Sequence, residues 1–121
     1  MTSSRRKRTA SVESRLQRLE ERHRALIGEI AVLGLVLRGT IAPRMNRCGN
    51  LTCRCKADPP TLHGPYPVWT RKIAGKTVTV VLRPEHATLC QDWNHNMHNL
   101  DRIVRQMQAL GLQAAELLRQ S

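Results

Sequence analysis

Cys48-Gly49-Asn50-Leu51-Thr52-Cys53-Arg54-Cys55, followed by His63-Gly64-Pro65-Tyr66, is the stretch from which the rest of this 121-residue chain can be read. Three of the four cysteines fall within eight residues, and a histidine follows at C-x4-C-x-C-x7-H spacing. Three thiolates and an imidazole are the four soft or borderline donors that a closed tetrahedral Zn²⁺ site takes. Gly49, Gly64, Pro59, Pro60 and Pro65 bend the chain between the donors, as converging side chains require. Cys48, Cys53, Cys55 and His63 are therefore the expected metal ligands, with a structural zinc ion as the cofactor. His86 and Cys90 stand four apart on a predicted helix, face the same way, and are the replacements should His63 lie too far away. Arg47, Arg54 and Lys56 sit beside the thiols and favour their ionised forms.

The same stretch is the centre of the charge. The chain carries a net charge of +11, which points to an acidic partner such as nucleic acid or an anionic surface. Residues 41–83 hold eight basic residues against Asp58 alone, and residues 1–10 hold four basic and no acidic residues. The segments 11–40 and 84–121 are close to neutral. The excess thus sits on the cysteine module and on an N-terminal run containing Arg5, Arg6, Lys7 and Arg8. That run lacks apolar periodicity and reads as a disordered basic arm over residues 1–10.

Working outward, residues 11–38 predict a helix. Val12, Leu16, Leu19, His23, Leu26, Ile30, Leu33 and Leu37 follow one another at heptad spacing, the pattern of an apolar seam. Gly28 and Gly34 each weaken such a helix by about 1 kcal/mol relative to Ala, and Gly39 with Pro43 would end it. His23, polar on the seam, reads as a residue that sets register or oligomeric state.

After the cysteine loop, Tyr66–Thr70 and Lys76–Leu82 alternate as a β-hairpin does, turning at Ala74-Gly75-Lys76. Pro67 marks the first of these strands as an edge. Pro84 and Glu85 open a second helix over 84–119, whose seam runs Leu89, Trp93, Asn96, Leu100, Ile103, Met107, Leu110, Ala114, Leu117. The expected fold is mainly α with a small β-hairpin: two long heptad-patterned helices flank a metal-stapled loop and hairpin at residues 39–83. Neither helix can bury its stripe alone, so a homodimer or small homo-oligomer is expected.

The series Arg47-Cys48-Gly49, Cys53-Arg54-Cys55, His63-Gly64-Pro65-Tyr66, the Gly75-Lys76 turn and Pro84-Glu85 before a leucine-rich helix resembles a family of small bacterial proteins. Its members read R-C-G-K-x-x-C-x-C and then H-G-P-Y, and are often encoded near transposases and integrases on mobile elements. The resemblance spans roughly residues 38–110, with Asn50 standing where lysine is usual and few aromatics after Tyr66. It implies kinship and a genomic setting, and no established activity.

Two functions are compatible with these features. In the first, the zinc knot orders a basic surface that binds double-stranded DNA, with Arg44, Arg47, Arg54, Lys56, Arg71, Lys72, Lys76 and Arg83 joining Arg5–Arg8 as contacts. In the second, the helices form a coiled-coil adaptor for a recombinase, transposase or other partner, without direct DNA binding. An enzyme is not expected: Asp58 is the lone carboxylate between Glu29 and Glu85, so no acid–base pair stands near the thiols, and four ligands close a zinc site. No secretory signal follows the basic run, and Ala31–Leu37 falls far short of the ~20 apolar residues a membrane span needs. A cytoplasmic protein with reduced thiols is expected.

Overall fold

The computed structural model describes the backbone of residues 2–121 and the side chains from residue 11 onward. In chain order it contains α1 (Thr2–Ala31), β1 (Thr40–Asn46), a single 3₁₀ turn (Arg54–Lys56), β2 (His63–Ile73), β3 (Lys76–Val81) and α2 (Pro84–Gln120). Two helices thus flank a three-stranded antiparallel sheet of order β1-β2-β3. The chain divides into one unit of residues 1–34 and 98–121 and a second of residues 35–97. No helix among the described residues is long and apolar enough to cross a membrane.

The first helix is displaced from its expected bounds of 11–38. It begins at Thr2, so the backbone of the run read as a disordered arm is helical; the side chains of Arg5, Arg6, Lys7 and Arg8 lie outside the described residues. Arg and Lys are good helix formers, and no Gly or Pro interrupts the chain before Gly28. The helix also ends early, at Ala31, leaving Leu33 and Leu37 of the predicted seam off it.

The physical reason for the early stop lies in the unit of residues 35–97. The N–H of Leu37 donates to the Trp93 carbonyl at 3.0 Å. The Asn94 amide donates both its hydrogens, to the Leu37 carbonyl at 3.0 Å and the Gly39 carbonyl at 2.8 Å. Asn96, placed by its spacing on an apolar seam, donates to the Leu35 carbonyl at 2.9 Å. Backbone groups that a longer α1 would have paired internally are taken by α2 instead, and tertiary bonding overrides local propensity.

The hairpin gains a third strand, β1, which pairs with β2 from Thr40↔Thr70 to Asn46↔His63 with a register irregularity between Arg44 and Asn46. β2 is therefore the central strand, and the reading of Pro67 as an edge residue is corrected. Pro67 lies opposite Pro43, and its carbonyl accepts the Leu82 N–H at 2.8 Å, on the β3 side. The imino nitrogen of an antiparallel residue points the same way as its carbonyl, so Pro67 removes no β1–β2 ladder bond. β2 and β3 are joined by Ala74 (φ 49°) and Gly75 (φ 80°), a two-residue turn with both central residues left-handed, matching the twist of the strands it joins.

Gly39 is where the sheet is least tolerant. Its φ is +108°, and a Cβ there would lie 2.5 Å from the Thr70 carbonyl oxygen and 2.7 Å from Trp69 Nε1. The indole N–H in turn donates to the Arg38 carbonyl at 2.8 Å. Gly39→Ala is expected to destabilise the chain by about 3 kcal/mol or more, since an unfavourable φ alone costs of order 1–3 kcal/mol and backbone oxygen cannot retreat as a side chain can. Urea unfolding followed by circular dichroism measures this, with Gly49→Ala, which meets nothing within 4 Å, as the neutral control.

In the unit of residues 1–34 and 98–121, Val12, Leu16, Leu19, Leu26 and Ile30 are the half-buried described residues of α1, while His23 is exposed. On α2, Ile103 is buried and Leu100, Met107, Leu110, Ala114 and Leu117 are half-buried. An open apolar groove of about 440 Å³ runs between the helices, lined by Leu16, Leu19 and His23 on one side and Met107 and Leu110 on the other. Arg102 pairs with Glu29 at 3.5 Å, both exposed, a contact worth little in itself.

Candidate metal centre

Cys48 follows the end of β1, Cys53 precedes the 3₁₀ turn, Cys55 lies within that turn and His63 is the first residue of β2. The loop reaches this shape through its own short-range bonds. The Asn50 side-chain oxygen accepts from the Thr52 N–H at 3.0 Å and the Thr52 hydroxyl at 2.9 Å, an Asx-type turn. The Cys53 N–H donates to the Asn50 carbonyl at 3.2 Å and the Lys56 N–H to the Cys53 carbonyl at 2.9 Å. Asn50 is thus a local organiser that spacing alone did not single out; the signal was the Asn-Leu-Thr run.

Gly64 holds the other side of the site. Its φ is +118°, and a Cβ would stand 2.8 Å from the Arg44 carbonyl oxygen. The glycine of His63-Gly64-Pro65-Tyr66 therefore permits close approach of β2 to β1 just where His63 must meet the cysteines.

The ligand atoms of Cys48, Cys53, Cys55 and His63 all lie within 4.8 Å of one another. Cys53 Sγ is 3.2 Å from His63 Nε2, and Cys48 Sγ is 3.6 Å from Cys55 Sγ. A tetrahedron built on metal–sulfur bonds of ~2.3 Å and metal–nitrogen bonds of ~2.0 Å has edges of about 3.5–3.8 Å, so these four residues could hold a metal ion. All four cysteines of the chain are free thiols. Cys90 (half-buried) and His86 (exposed), the alternates for the fourth position, lie on α2 and are not part of this set.

Cys55 is buried, yet its thiol is held at about 6, well below the ordinary thiol range. The main cause is the Cys48 backbone N–H, which donates to Cys55 Sγ at 3.3 Å; hydrogen bonds with Cys48, Cys53 and His63 lower it further, against burial. A thiolate is thus available near neutrality, ready for a metal without a large proton cost. Because the value is depressed, the benefit of the thiolate is present above the ordinary thiol value and is lost as pH falls through about 6. Metal affinity should fall as the pH drops through about 6, where protons begin to compete for Cys55. A pH series of metal transfer to a chromogenic chelator measures this, and release independent of pH across that range contradicts it.

The predicted nucleic-acid contacts fall into three groups. Arg44, Arg47, Arg54, Lys56, Lys72, Lys76 and Arg83 are exposed, Lys56 Nζ also donating to the Cys48 carbonyl. Arg71 is half-buried with its guanidinium 3.7 Å from the centroid of the Trp69 ring, and its buried Nη1 has no hydrogen-bond partner among the described residues. The side chains of Arg5, Arg6, Lys7 and Arg8 lie outside the described residues. The Trp69–Arg71 stack was legible only as an i, i+2 pair on one strand face.

Fold and site together define a helix-flanked antiparallel sheet protein with a Cys₃His cluster at one end of its sheet. The chain belongs to the family described as Domain of unknown function (DUF6788), which matches residues 10–91 and so includes all four cluster residues. No curated protein and no solved structure matches the chain.

Proposed function

We propose that this chain is a zinc-stabilised, dimeric DNA-binding accessory or regulatory protein of a bacterial mobile element. The observation that carries the reading is the clustering of exposed cations around the metal ligands and the sheet, where residues 41–83 hold eight basic residues and one carboxylate. A surface of one sign in a chain of +11 net charge favours a polyanion, and duplex phosphates are the most regular one. Zinc is the metal best suited to three thiolates and an imidazole. The mobile-element setting is supported by the sequence resemblance, and dimerisation through heptad seams by the half-buried apolar stripes of α1 and α2.

A second reading is favoured by the open groove lined by Leu16, Leu19, Met107 and Leu110: a coiled-coil adaptor that docks a recombinase or other protein without touching DNA. Fluorescence anisotropy with a labelled random-sequence duplex at low salt separates the two. Micromolar or tighter binding is expected; no binding at low salt removes the first reading and leaves the adaptor.

A further inference from the structure

The pairing of the strands sorts their side chains onto two different faces. Strict alternation along each strand, with the registers Thr40↔Thr70, Ala42↔Val68 and Arg44↔Tyr66 on one side and Thr70↔Thr79, Lys72↔Thr77 and Val68↔Val81 on the other, puts all of these on one face. The hydroxyls of Thr70 and Thr79 lie 3.5 Å apart across the strands, as neighbours on one face must. Trp69, Arg71 and Val78 share the opposite face, with Lys76.

The two faces differ in exposure and in chemistry. On the threonine face every residue but the buried Val68 and the half-buried Thr70 is exposed; on the opposite face Trp69, Arg71 and Val78 are half-buried and Ile73, Lys76 and Val80 are exposed. The threonine face holds hydroxyls, methyls and, at its ends, the cations Arg44 and Lys72, with no carboxylate. Resting on the DNA-binding reading above, we infer that this face of the β2–β3 ribbon lies in the major groove of B-form DNA. Threonine is a residue that can hydrogen-bond any base edge and also present a methyl to thymine. The major groove is ≈ 12 Å wide; the three strands behind this face, ≈ 4.8 Å between neighbours, span about 10 Å, and past Thr70, where β1 ends, they narrow to the two strands β2 and β3. The paired length, Val68–Ile73 against Lys76–Val81, is about 20 Å at ~3.3 Å per residue, enough to follow about six base pairs at ~3.4 Å each.

Other nucleic acids suit the face less well. The major groove of A-form RNA is too narrow and deep for side chains. Single-strand stacking needs several open aromatic faces; Tyr66 is the one exposed aromatic on this face, and Trp69, on the other, is covered by Arg71 and bonded through its indole N–H to the Arg38 carbonyl. The assignment also separates the predicted contacts: Lys72 and Arg44 belong to this DNA face, and Arg71 and Lys76 do not.

The test uses the full chain and a random-sequence DNA duplex, in two forms. One is unmodified; in the other every cytosine is glucosylated 5-hydroxymethylcytosine, which fills the major groove and leaves the protein untouched. Binding to the filled duplex is expected to fall by at least about 30-fold. Thr79→Glu and Lys76→Ala, each of which makes the chain one charge more negative but on opposite faces, are compared in parallel. Thr79→Glu should weaken binding by about 30-fold or more, through a carboxylate set against the phosphates, and Lys76→Ala by about 3-fold or less. Equal affinity for the two duplexes, or competition by a minor-groove ligand such as netropsin, overturns the inference while leaving DNA binding intact. Absence of binding to the unmodified duplex defeats the functional reading itself, and the inference with it.

Discussion

Stripping the metal should unfold the sheet. Residues 40–81 of the metal-loaded chain are expected to lose hydrogen-exchange protection on treatment with a strong chelator, and Cys53→Ser is expected to do the same without chelation. Little apolar material is buried around the sheet. Among the described residues the buried hydrophobics are Cys55, Val68, Met97 and Ile103, and in the unit of residues 35–97 one of the three is itself a candidate ligand. Three strands with so small a core lack the burial that stabilises a domain of this size.

A metal bound by Cys48, Cys53, Cys55 and His63 would join the end of β1, the 3₁₀ turn and the start of β2. Structural zinc in short peptides contributes about 10–16 kcal/mol at neutral pH, against a total domain stability of about 5–15 kcal/mol. Losing it exceeds any single packing change. Cys90→Ser, outside the cluster, should leave protection unchanged. Full protection at 40–81 after complete metal removal contradicts a structural role for the site.

The second large effect is on DNA affinity as a function of salt. Leaving out Lys76, on the opposite sheet face, six exposed cations lie around the sheet and the cluster: Arg44, Arg47, Arg54, Lys56, Lys72 and Arg83. If four to six of them each neutralise a phosphate, the slope of log K against log salt is about −4 to −5. Raising the salt from 50 to 200 mM then weakens binding by roughly 10²- to 10³-fold. Removing residues 1–10 takes away four further cations, and most of the slope should survive that deletion on the proposal that the sheet unit makes the contacts. A slope near zero, or one that vanishes with the arm, moves the binding surface away from the sheet.

The cluster was legible because ligand chemistry constrains both residue type and spacing: three thiols and a histidine within sixteen positions, Cys48–His63, leave few ways to satisfy the chain. The choice between His63, His86 and Cys90 was not legible, because it depends on where β2 begins relative to β1. That is set by the register around Arg44 and by the close approach at Gly64.

The two flanking helices were legible from their period, and the premature end of α1 was not. Leu33 and Leu37 fit the seam, but Trp93, Asn94 and Asn96 take the backbone groups around them. Strand β1 did carry a signal, the alternation of Ile41, Pro43 and Met45 with Thr40, Ala42 and Arg44. Pro43 masked it, since a proline is tolerated there only by facing Pro67 across a non-hydrogen-bonded pair. Arg71 was read as a DNA contact because charge alone does not reveal that Trp69 already occupies it.

The most direct measurement is elemental analysis, combined with native mass spectrometry, of the chain purified without added metal. One zinc ion per chain is expected, retained in Cys90→Ser and His86→Ala and lost in Cys53→Ser. A folded chain without stoichiometric metal, whose Cys48, Cys53 and Cys55 thiols all react freely with a thiol reagent, would contradict it.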